Sequence, residues 1–432
     1  MYQVYLRQTL QMLKQNKFFS IVYIAGTGLA IAMVMVLTIL YYLRTGPIAP
    51  ESYRDRMMVV YHGKVLHKEN KSNGNARFSY STIRQCFYPM QTPEAVTAIL
   101  PVGKQFEFIR VPGQKEGYNG LVMGTDAAFW KVFRFTFVSG KPYTEEEFAS
   151  GLRKAVVNES LARRLFHTSD AAGKTFSLNF EEFIVAGVVK DAPSVATYSY
   201  AEMWIPFTVR PDLISGGAWC NHILGPMYVC ILAKQPADFE AIRREAEALC
   251  RRYNATIDPY TLYLNGQPDS VFRAFLHTDT WKEPDYTAIY LQIACLLFLL
   301  LLVPSINLTG MTASRMKKRM EELGVRKAFG ARNRTLLLQI LYENLLLTFL
   351  GGVVGLGVSY GLIGLLKEWL LGQYSWDGTP LAASIDLSPG MLLNPAVFGY
   401  AFLFCLVLNL LSTVVPAWHA LQRPVVGALN NK

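Results

Sequence analysis

"SRMKKRMEELGVRKAFGARNRTLLLQILYEN", residues 314–344, sets eight Lys/Arg and two Glu between Arg315 and Arg334. On either side the charge almost vanishes: "YTAIYLQIACLLFLLLLVPSIN" (Tyr286 to Asn307) precedes it, and a second apolar run follows to Leu366. Runs of that length cross the ~30 Å hydrocarbon core as helices, and Lys/Arg in short connections stay on the cytoplasmic side. The basic stretch is therefore an inner link between two spans.

Composition agrees with a membrane protein carrying a water-soluble part. The 432 residues are 51% hydrophobic, 13% aromatic and only 17% charged, too little charge for an ordinary soluble chain of this size. The net charge of +10 sits beside apolar runs, which favours membrane topology over nucleic-acid binding.

"FFSIVYIAGTGLAIAMVMVLTILYYL" (Phe18 to Leu43) follows Arg7, Lys14 and Lys17. It is too long for a signal peptide and no A-x-A site follows it, so it reads as a retained anchor. Ahead of it, residues 1–17 read either as a short helix on the membrane surface or as a cytosolic extension of the span. The expectation is a multi-pass α-helical membrane protein with four transmembrane helices, at 18–43, 286–307, 336–366 and 395–416. The third has an interfacial first part carrying Gln339, Glu343 and Asn344, with the crossing at about Leu345 to Leu366. The loop 367–394 has no Lys/Arg from Glu368 on, so it and residues 44–285 lie outside, while 308–335, 417–432 and both termini lie inside.

Residues 44–285 mix strand-like runs ("MMVVYHG", "FIVAGVV" at Phe183 to Val189, "MYVCIL" at Met227 to Leu232) with a helix-like one from Ala237 to Asn254. An α+β domain follows, with a subdomain boundary near the loop-like "NKSNGN" at Asn70 to Asn75. The cysteines show no CxxC and the histidines no HExxH, so no metal site is expected. Cys86, Cys220, Cys230 and Cys250 fall in the exported part, which leaves room for a disulfide such as Cys220 to Cys230.

No catalytic constellation is expected. "AGKT" (Ala172 to Thr175) resembles the tail of a phosphate loop, but Thr168 stands where the leading glycine belongs. The carboxylates Asp126, Glu145, Glu146, Glu147, Glu181 and Glu182 follow no catalytic spacing and read as a solvated face. Gly351, Gly355, Gly357 and Gly361 make two GxxxG spacings, which serve either a dimer seam or packing within the chain.

On a helix, Arg315, Lys318, Arg319, Glu322 and Arg326 share one face and Met316, Met320 and Leu323 another. Gly324 and "FGA" (Phe329 to Ala331) break helix at defined points, which suggests a shaped element and not a loose charged tether.

Glu322, Gly324, Arg326, Ala328, Gly330 and Ala331, then Gln339, Glu343, Gly351, Gly352 and Gly355, resemble the motif of the MacB/FtsX-type ABC transporter permeases, which include lipoprotein-releasing permeases. Glu321 departs from the basic residue usual there. "AVVNESLARRLF", "AAGKTFSL" and "FIVAGVVKDAP" resemble that family's extracytoplasmic core domain, and "VPAWHALQRPVVGAL" its inner C-terminal end.

The resemblance implies a non-enzymatic permease of the plasma (cell inner) membrane. Arg315, Lys318, Arg319, Glu322, Gly324, Arg326, Lys327 and Gly330 would form the coupling segment on a separate ATP-binding subunit. That subunit would hold ATP–Mg, with no cofactor in this chain. A second permease chain, identical or homologous, and a periplasmic adaptor or hydrolase complete the implied partners. The implied work is mechanotransmission that exports or extracts a peptide, drug or lipoprotein. The alternatives are an FtsX-like regulator of a cell-wall hydrolase that transports nothing, and a membrane-anchored sensor or adhesive module.

Overall fold

Between Lys17 and Arg44 the sequence carries no charge, and in the computed structural model this stretch is one helix, α1 (Lys17–Thr45). The structure describes residues 17–69, 72–101, 107–113, 117–211, 220–318, 320–371 and, beyond these, 399–400, 402–404, 406–407, 410–411, 414, 417–418 and 422. Two compact units emerge, residues 43–285 and the helical segments around 17–42 and 286–370.

In the first unit the strands are β1 (Met57–Val60), β2 (Gly63–His67), β3 (Asn73–Phe78), β4 (Ala95–Leu100), β5 (Glu107–Arg110), β6 (Tyr118–Gly120), β7 (Val122–Thr125), β8 (Phe137–Gly140), β9 (Lys154–Asn158), β10 (Thr175–Leu178), β11 (Glu181–Val189), β12 (Met203–Pro206), β13 (Leu224–Gly225), β14 (Tyr228–Leu232), β15 (Tyr260–Tyr263) and β16 (Asp269–Ser270). The helices are α2 (Tyr80–Cys86), α3 (Phe129–Val132), α4 (Glu145–Ala149), α5 (Glu159–Phe166), α6 (Phe239–Asn254) and α7 (Val271–Leu276). One mixed sheet follows the order β16-β1-β14-β4-β7-β12-β9-β11-β10-β5-β6, with β8 on β11. Only β9–β11 and β7–β12 among these pairs are parallel. A second sheet runs β13-β3-β2-β15.

Side chains alternate across a strand, and here alternation builds two cores on one wall. Met123, Val156 and Trp204 belong to a large cluster with β1, β14, α2 and α6, whereas Val122, Ala155, Val157, Met203 and Ile205 belong to a second with β10, β11 and α5. Strands β7, β9 and β12 are therefore buried on both faces, which explains their nearly unbroken apolar sequences. The subdomain division lies along this wall. It does not lie at residues 70–75, because Asn73 to Asn75 pair with Lys64 to Leu66 as β3 of a hairpin. Gly74 is glycine there because a Cβ would lie 2.7 Å from Cys220 Sγ.

Local signals set the helix ends. Asn158 caps α5 by accepting from Leu161 N at 2.8 Å, and His167, in the left-handed region at φ 57°, ends it. Glu145, Glu146 and Glu147 occupy the first turn of α4 with a Thr144/Glu147 capping box, where negative charge faces free amides. Asp126, read from sequence as solvated, is buried instead. It accepts from Thr97 Oγ1 (2.6 Å), Tyr88 Oη (2.7 Å), Ala98 N (2.8 Å) and Phe129 N (3.0 Å), and burial outweighs these donors in pushing its carboxyl up to about 6. Cys220 and Cys230 are unpaired thiols. Cys230 lies in β14 between Val59 and Thr97, and Cys220 lies against the β3 hairpin.

In the helical unit, α1 is accompanied by α8 (Tyr286–Lys318), α9 (Met320–Ala328) and α10 (Asn333–Leu371). Among the described residues, Ile21–Thr45 and Asn333–Lys367 are long and apolar enough to cross a membrane, and Tyr286–Leu299 is a shorter apolar run. Residues 395–416 are described only in part. Helix α10 runs unbroken through Gln339, Glu343 and Asn344, and these three polar side chains are buried.

One buried histidine gives the first unit a pH dependence. His62, in the turn after β1, stacks edge-to-face on His277 (4.9 Å, 87°), whose Nδ1 is 2.6 Å from Asp269 Oδ2; neither ring nitrogen of His62 has a hydrogen-bond partner among the described residues. Burial, then the neighbouring His277, pushes His62 down to about 4. A depressed folded value means stability is complete above pH 6.5 and is lost as pH falls toward 4. Thermal unfolding of the detergent-solubilised chain from pH 7 to 4 should therefore show roughly 2–3 kcal/mol more acid loss in wild type than in His62→Asn. Equal slopes would refute this.

Candidate functional site

The basic segment opens as helix. Its backbone is helical through Arg315 and Lys318 and again from Met320 through Glu322, Gly324, Arg326 and Lys327, while Arg319 and the side chains of 315–323 lie outside the described residues. Gly324 sits inside α9 and does not end it, contrary to the sequence expectation; one glycine costs a helix only about 1 kcal/mol. The stop is Gly330 at φ 89°, whose N–H bonds Lys327 O (2.9 Å) while Ala331 N bonds Arg326 O (3.0 Å). No neighbour among the described residues lies within 4 Å of a Cβ built there, so the backbone conformation itself demands the glycine.

Arg326 turns back onto α10. Its Nη1 donates to Gln339 Oε1 at 2.8 Å, and Gln339 Nε2 donates to Glu343 Oε1 at 3.3 Å. Gln339 and Glu343 are buried, so this arginine fastens the basic turn to the next helix. At the next residue, Asn344 Oδ1 accepts from Tyr23 Oη of α1 at 3.4 Å. Farther along, α1 and α10 meet backbone to backbone. A Cβ on Gly355 would lie 2.6 Å from Gly28 O, and one on Gly351 2.9 Å from Thr27 Cβ. The first GxxxG is thus an intrachain seam, whereas Gly357 and Gly361 have nothing within 4 Å of a Cβ among the described residues.

The outer end of α1 enters a buried ion pair that sequence reading missed. Arg54 Nε binds Glu51 Oε2 (2.7 Å), Nη1 donates to Leu43 O (2.8 Å) and Gly46 O (3.4 Å), and Nη2 donates to Val195 O (2.7 Å). Glu51 Oε1 accepts from Tyr198 N (2.7 Å), Ser199 N and Ser199 Oγ (3.0 Å each). Arg44, at the end of α1, lies over the Phe275 ring of α7 at 5.0 Å. The only warning in the sequence was a dense polar run, "ESYRDR" (Glu51 to Arg56), close behind a span.

A family model described as the MacB-like periplasmic core domain matches residues 20–249, and one described as the FtsX-like permease C-terminal region matches residues 294–425. The chain belongs to the MacB/FtsX-type ABC transporter permeases. It is 23% identical over 329 residues to an uncharacterized ABC transporter permease, YknZ, of Bacillus subtilis, covering 76% of this chain and 74% of that one. It is 23% identical over 308 residues to the macrolide export ATP-binding/permease protein MacB of Escherichia coli K12, covering 71% of this chain but only 42% of that longer protein. The solved extracellular domain of YknZ aligns with 47% of this chain and 99% of its own length at 18% identity and a TM-score of 0.33.

In this MacB/FtsX-type permease Arg326, Gly351 and Gly355 make contacts within the chain and Gly330 makes the turn, while Gly357 and Gly361 meet none of the described residues within 4 Å of a Cβ. "AGKT" is no phosphate loop in this structure. It is a turn with Gly173 at φ 83° leading into strand β10, where a phosphate loop would lead into a helix.

The seam and the ion pair each yield a test. Gly355→Leu should lower the stability of the detergent-solubilised chain by roughly 1–3 kcal/mol through overpacking, with Gly361→Leu near wild type; equal effects would deny the seam. Arg54→Met strands the Glu51 carboxylate and should cost roughly 3–5 kcal/mol in denaturant unfolding, with the Glu51→Gln/Arg54→Met double variant recovering part of it. A double variant as weak as the sum of its singles would exclude the pair.

Proposed function

We propose that this chain is the permease half of an ABC complex that carries ATP-driven movement across the membrane to its extracytoplasmic domain, exporting or extracting a peptide, drug or lipoprotein there. The supporting observation is a directional chain of contacts. The basic turn is bonded to α10 through Arg326, Gln339 and Glu343; α10 packs on α1 at Gly28; and the far end of α1 is bound by Arg54. Stiff helices joined by hydrogen bonds and glycine contacts transmit displacement better than loops do.

In this reading four spans place both termini and the basic segment in the cytoplasm. ATP–Mg is held by a separate ATP-binding subunit of the complex. Two permease chains, identical or homologous, pair in the membrane. Arg315, Lys318, Arg319, Glu322 and Lys327 make the contact with the ATPase, with Arg326 and Gly330 shaping the element that carries them.

The test is affinity purification of the intact chain from its native membranes. An ABC-class ATP-binding subunit should co-purify, and Lys318→Glu/Arg319→Glu should cut its recovery about tenfold, the effect of losing ~1.4 kcal/mol of docking energy. Recovery of wild type without any ATP-binding protein would overturn the reading. With the ATPase bound but inactivated, accumulation of a substrate supports transport; a cell-wall hydrolase held by the extracytoplasmic domain, with no substrate accumulating, would replace transport with regulation.

A further inference from the structure

Helices α2 and α6 lie side by side in the large core of the exported domain. Thr82 Oγ1 on α2 and Tyr253 Oη on α6 are 3.1 Å apart. One turn onward along α2 is Cys86, and one turn back along α6 is Cys250, so the antiparallel register brings the thiols opposite one another. Just past α2, Gln91 N and Thr92 N donate to Glu245 Oε1 and Oε2 of α6 (2.7 and 3.1 Å), which fixes that antiparallel direction; both thiols are buried in the same apolar cluster, and Cys250 Sγ lies 3.5 Å from Leu262 O.

We propose that Cys86 and Cys250 are a modification site, oxidised in the mature protein to a disulfide that ties α2 to α6. Exported domains mature in an oxidising compartment, and adjacent thiols there are disulfide partners. The pairing rests on the extracytoplasmic location of the core domain and not on what the permease moves.

The reactant is an oxidant of the thiol–disulfide exchange class, itself a disulfide. Cys250 is 5% exposed while Cys86 is fully buried, so Cys250 is the thiol that an oxidant reaches first. Cys250 is then the nucleophile. Its thiolate attacks one sulfur of the oxidant and expels the other as a thiolate, giving a mixed disulfide. Cys86, losing its proton, attacks the Cys250 sulfur and expels the second thiolate. The chain loses two protons and two electrons, and the oxidant departs as a dithiol. Because Cys86 is fully buried once α2 is docked, exchange precedes docking, and the finished bond is shielded from reductants.

The experiment uses the full chain, extracted from membranes without reductant, blocked with N-ethylmaleimide under denaturing conditions and digested with trypsin. Most of both cysteines should appear in one linked species, residues 85–104 joined to 245–251, which dithiothreitol separates. Cys220, Cys230, Cys295 and Cys405 should be alkylated. Recovery of Cys86 and Cys250 as alkylated peptides, or linked to any other cysteine, would overturn the proposal. Stability supplies an independent reading: dithiothreitol should lower wild-type unfolding temperature to that of Cys86→Ser, and Cys86→Ser, Cys250→Ser and the double variant should coincide. Additive losses, or a wild type indifferent to dithiothreitol, would also refute it.

Discussion

A helix leaving a membrane carries carbonyls in its last turn that have no partner within the helix. In this permease a single buried guanidinium meets part of that demand. Arg54 takes the carbonyls of Leu43 and Gly46 with one nitrogen, Val195 with another and Glu51 with the third. Within the exported unit, the last turn of α1 is therefore held by directed bonds and not by apolar contact alone. Lysine, with a point charge and no planar fork, could not close the same set. Since Glu51 is buried as well, the pair has no water to retreat to, and neither residue can be changed without stranding the other.

The same economy holds at the basic turn. Its charge suggests a surface for a partner, yet Arg326 spends a guanidinium nitrogen on Gln339, which continues to Glu343. A polar line buried along a helix is costly unless each member is bonded, and that requirement ties the turn's geometry to α10. Glycine supplies the complementary constraint: with no side chain at Gly28, Gly351 and Gly355, the backbones of α1 and α10 approach until only glycine fits. Movement at one helix cannot be absorbed by sliding side chains past one another.

Sequence alone gave access to what is periodic or compositional. The uncharged α1, the apolar strands β1, β11 and β14 and the α6 helix were legible because burial imposes a pattern on consecutive residues. The Arg326 and Gly330 positions were legible through the motif they share with the family. What escaped depended on distant partners. Asp126 looks like any exposed carboxylate until Tyr88, Thr97 and Ala98 are folded around it. Gly324 looks like a helix breaker until the surrounding helix overrides its propensity. Asn73 to Asn75 look like a loop until β2 pairs with them. Cys86 and Cys250 are far apart in the chain and share no motif, so only the register of α2 on α6 joins them.

Within the exported domain the Arg54 joint continues into the shared wall. Ser199 N and Oγ bind Glu51, and the carbonyl of the same residue accepts from Trp204 Nε1 at 3.1 Å; the neighbouring Tyr198 O accepts from Tyr228 Oη, also at 3.1 Å. Trp204 is in β12 and Tyr228 in β14, so the loop that grips Arg54 is pinned to two strands of the main sheet. Strand β12 in turn faces both cores, with Trp204 in one and Met203 and Ile205 in the other. A pull on the end of α1 therefore reaches a strand whose two faces belong to different cores. Neither core can shift without the other, because close-packed interiors transmit strain and do not dissipate it. That arrangement makes the domain respond as one body to what happens at Leu43 and Gly46.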